Sequence, residues 1–249
     1  MPNRQALASG ASHAGIIVHD GEVPTRDHTQ HAPGQTARVV DNLRTRIIEG
    51  ELTAGTRLSE EALVEDLHVS RNTLREAFRL LTHDGLLVHR FHRGVFVPEL
   101  GMNDLLDLYR LRLLIEPHVV RGLTDRDRHR LMPLLDAVTS AENAAIDDDW
   151  PAVITSNMRF HRSLVALGNS RRLDALIQRV LAEMRLIFAV VREPRPLYEP
   201  YVANNRKLYE GLSGGRFTAM ADYLETYLTE SEQALQRALT EAYGGNPPI

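Results

Sequence analysis

From Thr36 onward the apolar positions recur every three or four residues. Val40, Leu43 and Ile47 form one stripe, the spacing of a helix that buries a single face. Gly50 follows where a left-handed residue commonly closes such a helix. After a short turn carrying Gly55, one two-residue signature occurs twice. At Leu58-Ser59 and at Val69-Ser70 an apolar residue precedes a serine able to cap a helix, and Leu63 and Leu74 are placed to pack back on it as a hydrophobic staple. This predicts a second helix to about Leu67 and a third ending near Gly85, with Leu74, Ala77, Phe78 and Leu81 inside. Residues 86–97 alternate weakly and hold β-branched and aromatic side chains around Gly94, the pattern of a two-stranded hairpin. Beyond a linker at 99–102 the period is helical throughout and predicts six helices, at 103–122, 125–146, 150–167, 170–191, 196–212 and 216–242. The expected fold is mainly α: a winged helix-turn-helix of three helices plus a β-hairpin over 35–98, then an antiparallel all-helical bundle over 103–243.

The flanks differ in composition. Residues 1–34 are rich in Gly, Ser, His, Pro and Asp and read as a flexible arm, and 244–249 as a loose tail. His13, His19, His28 and His31 lie in the arm at no tight metal-ligand spacing. With 249 residues, 43% of them hydrophobic, the chain can bury the core of one large domain or two ordinary ones. The absence of cysteine excludes disulfides, cysteine-based zinc sites and thiol nucleophiles. No apolar run reaches the roughly 18 residues of a membrane span, and the N-terminus has no continuous apolar leader segment. A cytoplasmic protein with no membrane partner is the expectation. The formal net charge of −4 argues against coating nucleic acid along the whole chain, but it leaves room for a local basic face.

The third helix supplies that face. Arg71, Asn72, Thr73, Arg75 and Arg79 fall outside its apolar stripe, and between Ser70 and Val97 five arginines stand against two acids. Arginine pairs bidentately with guanine edges and asparagine with adenine, while Thr and free backbone N–H groups at a helix start suit phosphates. Ser59 and Ser70, at the two helix starts, join this candidate DNA-binding set. So do Arg90, His92, Arg93 and Gly94 at the hairpin tip.

The run Ile48-Glu49-Gly50-Glu51-Leu52, Gly55-Thr56-Arg57-Leu58-Ser59-Glu60, Leu63, Leu67-His68-Val69-Ser70-Arg71-Asn72-Thr73-Leu74-Arg75-Glu76-Ala77, Leu81, Asp84-Gly85-Leu86 resembles the winged-helix domain of the GntR family of regulators. The resemblance implies recognition of double-stranded DNA by Arg71, Asn72, Thr73 and Arg75, with the wing around His92 to Gly94 entering the minor groove. It also implies a homodimer on a pseudo-palindromic operator. Where many relatives carry an arginine at the start of the second helix, this chain has Glu61, which weakens the case for a phosphate contact there.

In the helical half, Arg112, Glu116-Pro117, Asp149-Trp150, Phe160-His161, Gly168-Asn169 and Arg206 resemble the FCD type of effector domain in its six-helix, VanR-like form. Many such domains hold a divalent metal with one Asp and three His, and those places fall here on Asn157, His161, Asn205 and Tyr227. Asn and Tyr are poor ligands for zinc-like ions, so no cofactor is required, and His161 and Asn157 are what is left of the metal set.

Periodicity adds an independent reading. Asn157 and His161 share a face with Val153 and Leu164; Asn205 lies with Val202, Tyr209 and Leu212; Tyr227 with Met220, Leu224 and Ser231; Arg112 with Leu105, Leu108 and Val119. Polar groups aimed into an apolar bundle need partners, water or a ligand. Arg112, Asn157, His161, Asn205 and Tyr227 are therefore a candidate pocket for a small-molecule effector, an organic acid by its charge. Arg112 and Glu116 are four apart, so a structural pair and a carboxylate clamp both remain open. The expected function is a DNA-binding repressor under effector control. The competing reading, a metal-dependent helical-bundle enzyme with an appended winged helix, needs a nucleophile or a dense ligand cluster. The chain offers one inward histidine, no cysteine and no paired carboxylates at helical spacing on an apolar face. A winged helix used only for protein contact is disfavoured by the basic helix and wing, because interface cores are depleted in charge.

Overall fold

The computed structural model describes residues 34–191 and 193–243. The expected arm, with its four histidines, lies outside the described residues except for Gly34, and the tail lies outside them altogether. The chain order is α1 (Gln35–Ile48), β1 (Arg57–Leu58), α2 (Glu60–Leu67), α3 (Arg71–His83), β2 (Val88–Arg90), β3 (Gly94–Phe96), α4 (Met102–Arg121), a 3-10 turn (Asp125–Arg130), α5 (Met132–Ile146), α6 (Trp150–Ala166), α7 (Arg171–Phe188), α8 (Pro194–Ser213) and α9 (Phe217–Ala242). No described helix is long and apolar enough to cross a membrane.

Two serines set the first helices. The Ser59 hydroxyl accepts from the Ala62 N–H at 3.3 Å, and the Ser70 hydroxyl from the Thr73 N–H at 3.1 Å, each taking up a donor that a helix start leaves unpaired. Between them His68 adopts a left-handed conformation (φ 52°) that stops α2 and turns the chain into α3. Leu74, Ala77, Phe78 and Leu81 are buried on α3, which packs against α1, where Leu43 and Ile47 are buried in turn.

The structure departs from the sequence expectation in two places. The wing is a three-stranded sheet, ordered β1-β3-β2, because Arg57 and Leu58 pair antiparallel with Phe96 and Val95. A two-residue strand is too short for alternation to reveal it. The single helix expected over 125–146 is broken into a 3-10 turn and α5. The Asp127 carboxylate accepts from the Thr124 N–H at 3.0 Å and anchors the turn. Pro133 lies in the first turn of α5, where its missing N–H costs nothing, but it could not continue a helix arriving from 125.

In the helical half α4 packs on α9, α5 on α6, and α8 on α5, α6 and α9. The winged unit rests on this bundle through α1 and α7. The Arg159 Nη2 on α6 meets both oxygens of Glu49 at 2.6 and 2.7 Å. Gly50 has φ +80°, and the Arg185 guanidinium occupies the space a β-carbon would need, so close approach and backbone conformation both favour glycine.

Replacing Ser70 with alanine is expected to destabilise the protein by about 1 kcal/mol, whereas glycine at the same place costs a few tenths. Urea unfolding of the two variants beside the wild type checks this, and equal losses would remove the capping account.

Candidate functional site

The side of α3 opposite its buried stripe is open. Arg71, Asn72, Arg75 and Arg79 are exposed there. Thr73 is half-buried, and its hydroxyl lies 2.8 Å from the Ser70 Oγ. Three of the small polar groups expected at the interface, Ser59, Ser70 and Thr73, are thus engaged in the helix starts. Arg75 Nε donates to Glu60 at 3.0 Å. Arg79 makes two bonds to Glu76 at 2.9 and 2.7 Å, which hold the Glu76 carboxyl below its usual range. These pairs are solvent-exposed and easily exchanged for other anions.

The wing closes the other side. A cleft of about 900 Å³ between α3 and the sheet is lined by Arg57, Arg75, Arg79, His89 and Gly94 among others. Arg90 stacks its guanidinium 4.8 Å over the Phe96 ring and reaches Glu99 at 3.3 Å. At the tip His92 (φ 58°) and Gly94 (φ 101°) are both left-handed and turn Phe91, His92 and Arg93 outward into solvent. Sequence reasoning missed Arg57, whose place beside α3 depends on the β1–β3 pairing. It also missed the partners Glu60 and Glu76. The helical spacing of Glu76 and Arg79 was a readable signal; the approach of Glu60 to Arg75 across two helices was not.

The second expected set meets inside the bundle. Arg112, Asn157, His161, Asn205 and Tyr227 are all buried, together with Glu116, Tyr109, Tyr201 and Ser231. Arg112 is 2% exposed and Glu116 0%, so their pairing takes place away from water. Arg112 Nε donates to Glu116 Oε1 at 2.6 Å, and His161 Nδ1 lies 2.7 Å from Glu116 Oε2. Burial pushes the Glu116 carboxyl up, but Arg112 and His161 outweigh this and hold it at about 2. Burial lowers His161, and the Arg112 cation lowers it further against the opposing pull of Glu116. The neutral imidazole then donates from Nδ1 and leaves Nε2 as an acceptor, a tautomer assigned from its bonding.

Asn205 Nδ2 donates to Asn157 Oδ1 at 2.8 Å, and the Tyr227 hydroxyl donates to the same oxygen at 3.4 Å. Burial raises the phenols of Tyr109 and Tyr227 well above their usual value and pushes Tyr201 up to about 12, so all three stay protonated. Four buried polar atoms of this cluster have no partner among the described residues: Arg112 Nη2, the Tyr109 and Tyr201 hydroxyls, and Asn205 Oδ1. The Tyr109 and Tyr201 hydroxyls approach each other short of hydrogen-bond geometry.

Arg112 and Glu116 are therefore paired, and one guanidinium nitrogen, Nη2, has no hydrogen-bond partner among the described residues. The four places that hold a metal in similar domains come together as expected, but their donors do not suit one. The Asn157 oxygen already accepts from Asn205, and the buried Arg112 cation acts on both His161 and Tyr227. No group of three His, Cys, Asp or Glu that could hold a metal exists among the described residues. The residues present do not fit the metal.

Comparison with known proteins agrees with both halves. The family profile "Bacterial regulatory proteins, gntR family" matches residues 35–97, and the profile "FCD domain" matches residues 107–230. The crystal structure of a putative transcriptional regulator GntR from Rhodococcus sp. RHA1 superposes with a TM-score of 0.72 at 36% identity, covering 82% of this chain and 98% of that one. An uncharacterised HTH-type transcriptional regulator, YdhC of Bacillus subtilis, is 25% identical over 78% of this chain and 92% of its own length. The probable D-xylose utilization operon transcriptional repressor of Paenarthrobacter nicotinovorans is 24% identical over 84% and 90%.

The buried triad sets a pH dependence. Glu116 titrates lower in the fold than in the unfolded chain, so its contribution is present above about pH 4.5 and fades as pH falls toward 2. His161 is also lowered, so below about pH 6.5 the unfolded chain takes up a proton the fold refuses, again favouring unfolding in acid. Removing one partner of such a pair costs about 3–5 kcal/mol near neutrality. In urea unfolding at several pH values, Glu116→Gln is expected to lie below the wild type by that amount at pH 8, with the gap narrowing below pH 4.5. A gap independent of pH would contradict the assignment of charge to Glu116.

Proposed function

We propose, from the premise that the chain belongs to the GntR family of bacterial regulatory proteins and carries an FCD domain, that it represses transcription as a homodimer whose grip on a two-half-site operator responds to a small organic acid. One observation carries the DNA part of this reading. The outer edge of α3 presents Arg71, Asn72, Arg75 and Arg79 to solvent beside a cationic wing, on a protein of net negative charge. A helix start rich in Arg and Asn matches the donor and acceptor pattern of the major groove. The ion pairs to Glu60 and Glu76 keep two of these arginines extended, and phosphate or base contacts take their place on binding. The repressor reading follows the Paenarthrobacter relative. Repression also places the chain in the compartment that holds the DNA, the cytoplasm of a bacterium.

The effector part rests on the unpartnered Arg112 Nη2 together with the Tyr109 and Tyr201 hydroxyls. They supply donors for a carboxylate, and Asn205 Oδ1 supplies an acceptor, with no bound metal to help.

Gel retardation with the upstream region of the chain's own gene, at fixed salt, is expected to show operator binding by the wild type. Arg71→Ala and Arg75→Ala should each weaken it about 10- to 100-fold, the worth of one good base contact. Unchanged binding in both ends the recognition-helix assignment. A thermal-shift screen of organic acids is expected to yield at least one that raises the wild-type midpoint, changes operator affinity, and has no effect on Arg112→Gln. Equal shifts in both proteins discard the carboxylate site.

A further inference from the structure

The wing tip carries a group to which the reading of DNA contact above gives no task. Phe91 is 81% exposed, on the turn between β2 and β3, and it belongs to no part of the hydrophobic core. Its only aromatic neighbour among the described residues is the His92 ring, 3.9 Å away and itself exposed. A turn gains nothing from a phenyl ring in water, where a small or polar residue closes the chain as well. The ring is also held in place from behind. Arg90, the residue before it, is pinned over Phe96 and paired in register with Gly94, and the left-handed His92 directs the tip away from the sheet.

The surroundings indicate what the ring meets. Arg90 precedes it and Arg93 follows two residues on; Arg57 stands behind Gly94. Cations on both sides of an apolar group are a poor protein-interface core, which is depleted in charge. They are the composition of a groove wedge: guanidinium groups on the phosphates, and an apolar side chain between base steps. Dimensions assign the groove. A helix such as α3 fits the major groove, about 12 Å wide, and only a narrow projection such as a hairpin tip fits the minor groove, about 6 Å wide.

We propose that Phe91 is an apolar wedge that enters the minor groove beside the α3 site and partly unstacks one base step, so that operators are discriminated by how readily that step deforms. The proposal rests on the DNA-binding reading above and adds to it a residue and a mode of selection. Flexible pyrimidine–purine steps are favoured at the wing position, although no hydrogen bond reads them.

The test uses the full-length protein and duplexes that the wild type selects from a random-sequence library. 2-Aminopurine is placed at each step in turn, and fluorescence and anisotropy are followed at fixed salt. The expected result is a fluorescence rise at one step in each half-site. Phe91→Ala abolishes the rise and weakens binding about tenfold or more, while Phe91→Leu keeps most of both. The dependence of affinity on salt stays the same in all three proteins, since no phosphate contact is removed. The thermal midpoint of Phe91→Ala does not fall, because the ring is unpacked. A fluorescence rise retained in Phe91→Ala overturns the proposal. So does a loss of self-association in Phe91→Ala, read by sedimentation, with the fluorescence unchanged, which assigns the ring to protein contact. If the wild type selects no duplex at all, the DNA-binding reading fails first and the wedge falls with it. Selection by the wild type with equal behaviour of Phe91→Ala sinks the wedge alone.

Discussion

The inner stripe of α3 can be satisfied in one way. Leu74, Ala77, Phe78 and Leu81 are buried against Leu43 and Ile47 of α1, and each turn of α3 contributes to that contact. Four side chains fixed at helical spacing fix the rotation of the helix about its axis. Arg71, Asn72, Arg75 and Arg79 then have nowhere to go but outward. The orientation of the DNA-facing edge is thus a product of the hydrophobic effect, and the charges themselves need supply none of the folding energy. For this reason the exposed ion pairs Arg75–Glu60 and Arg79–Glu76 can be weak and exchangeable without loosening the domain.

The buried cluster works under the opposite constraint. Charges without solvent must be paired inside the bundle, and Arg112, Glu116 and His161 do so through two short contacts shared by α4 and α6. That arrangement uses both carboxylate oxygens and one edge of the guanidinium, and leaves the other edge unused. Helix α6 then joins the two halves of the protein. Its inner face carries Asn157 and His161; on another face Arg159 holds Glu49, the residue that closes α1. The same helix thus touches both the buried cluster and the end of α1, the element against which α3 is rotationally fixed.

The fold was legible wherever burial imposes a period. The stripes of α1 and α3 and the two serine caps define the helix-turn-helix, and the inward positions of Asn157, His161, Asn205, Tyr227 and Arg112 were readable from their apolar neighbours alone. Features that depend on pairing across the chain were not. Strand β1 is two residues long and exists because β3 is there to pair with it. The break before α5 turns on Pro133, which reads equally well as the interior interruption of a long apolar pattern or as the start of a new helix. The shared role of Glu116 was hidden as well, because His161, which takes its second oxygen, lies forty-five residues away. Tyr109 and Tyr201 were missed because an aromatic residue on an apolar face is usually core packing; only their unpartnered hydroxyls mark them out.

The replacement of metal donors follows a single electrostatic logic. A divalent ion at the center of a bundle would add two positive charges to a site that already contains a buried guanidinium, and three of the four places that would have to answer it are Asn157, Asn205 and Tyr227, all uncharged. With one carboxylate present and already matched to Arg112, such a site would be left with uncompensated positive charge in a low-dielectric interior. As built, the cluster is close to neutral: one cation, one anion, a neutral imidazole and protonated phenols. The charges of the cluster are thus balanced by the chain's own groups, and one guanidinium nitrogen is left without a partner.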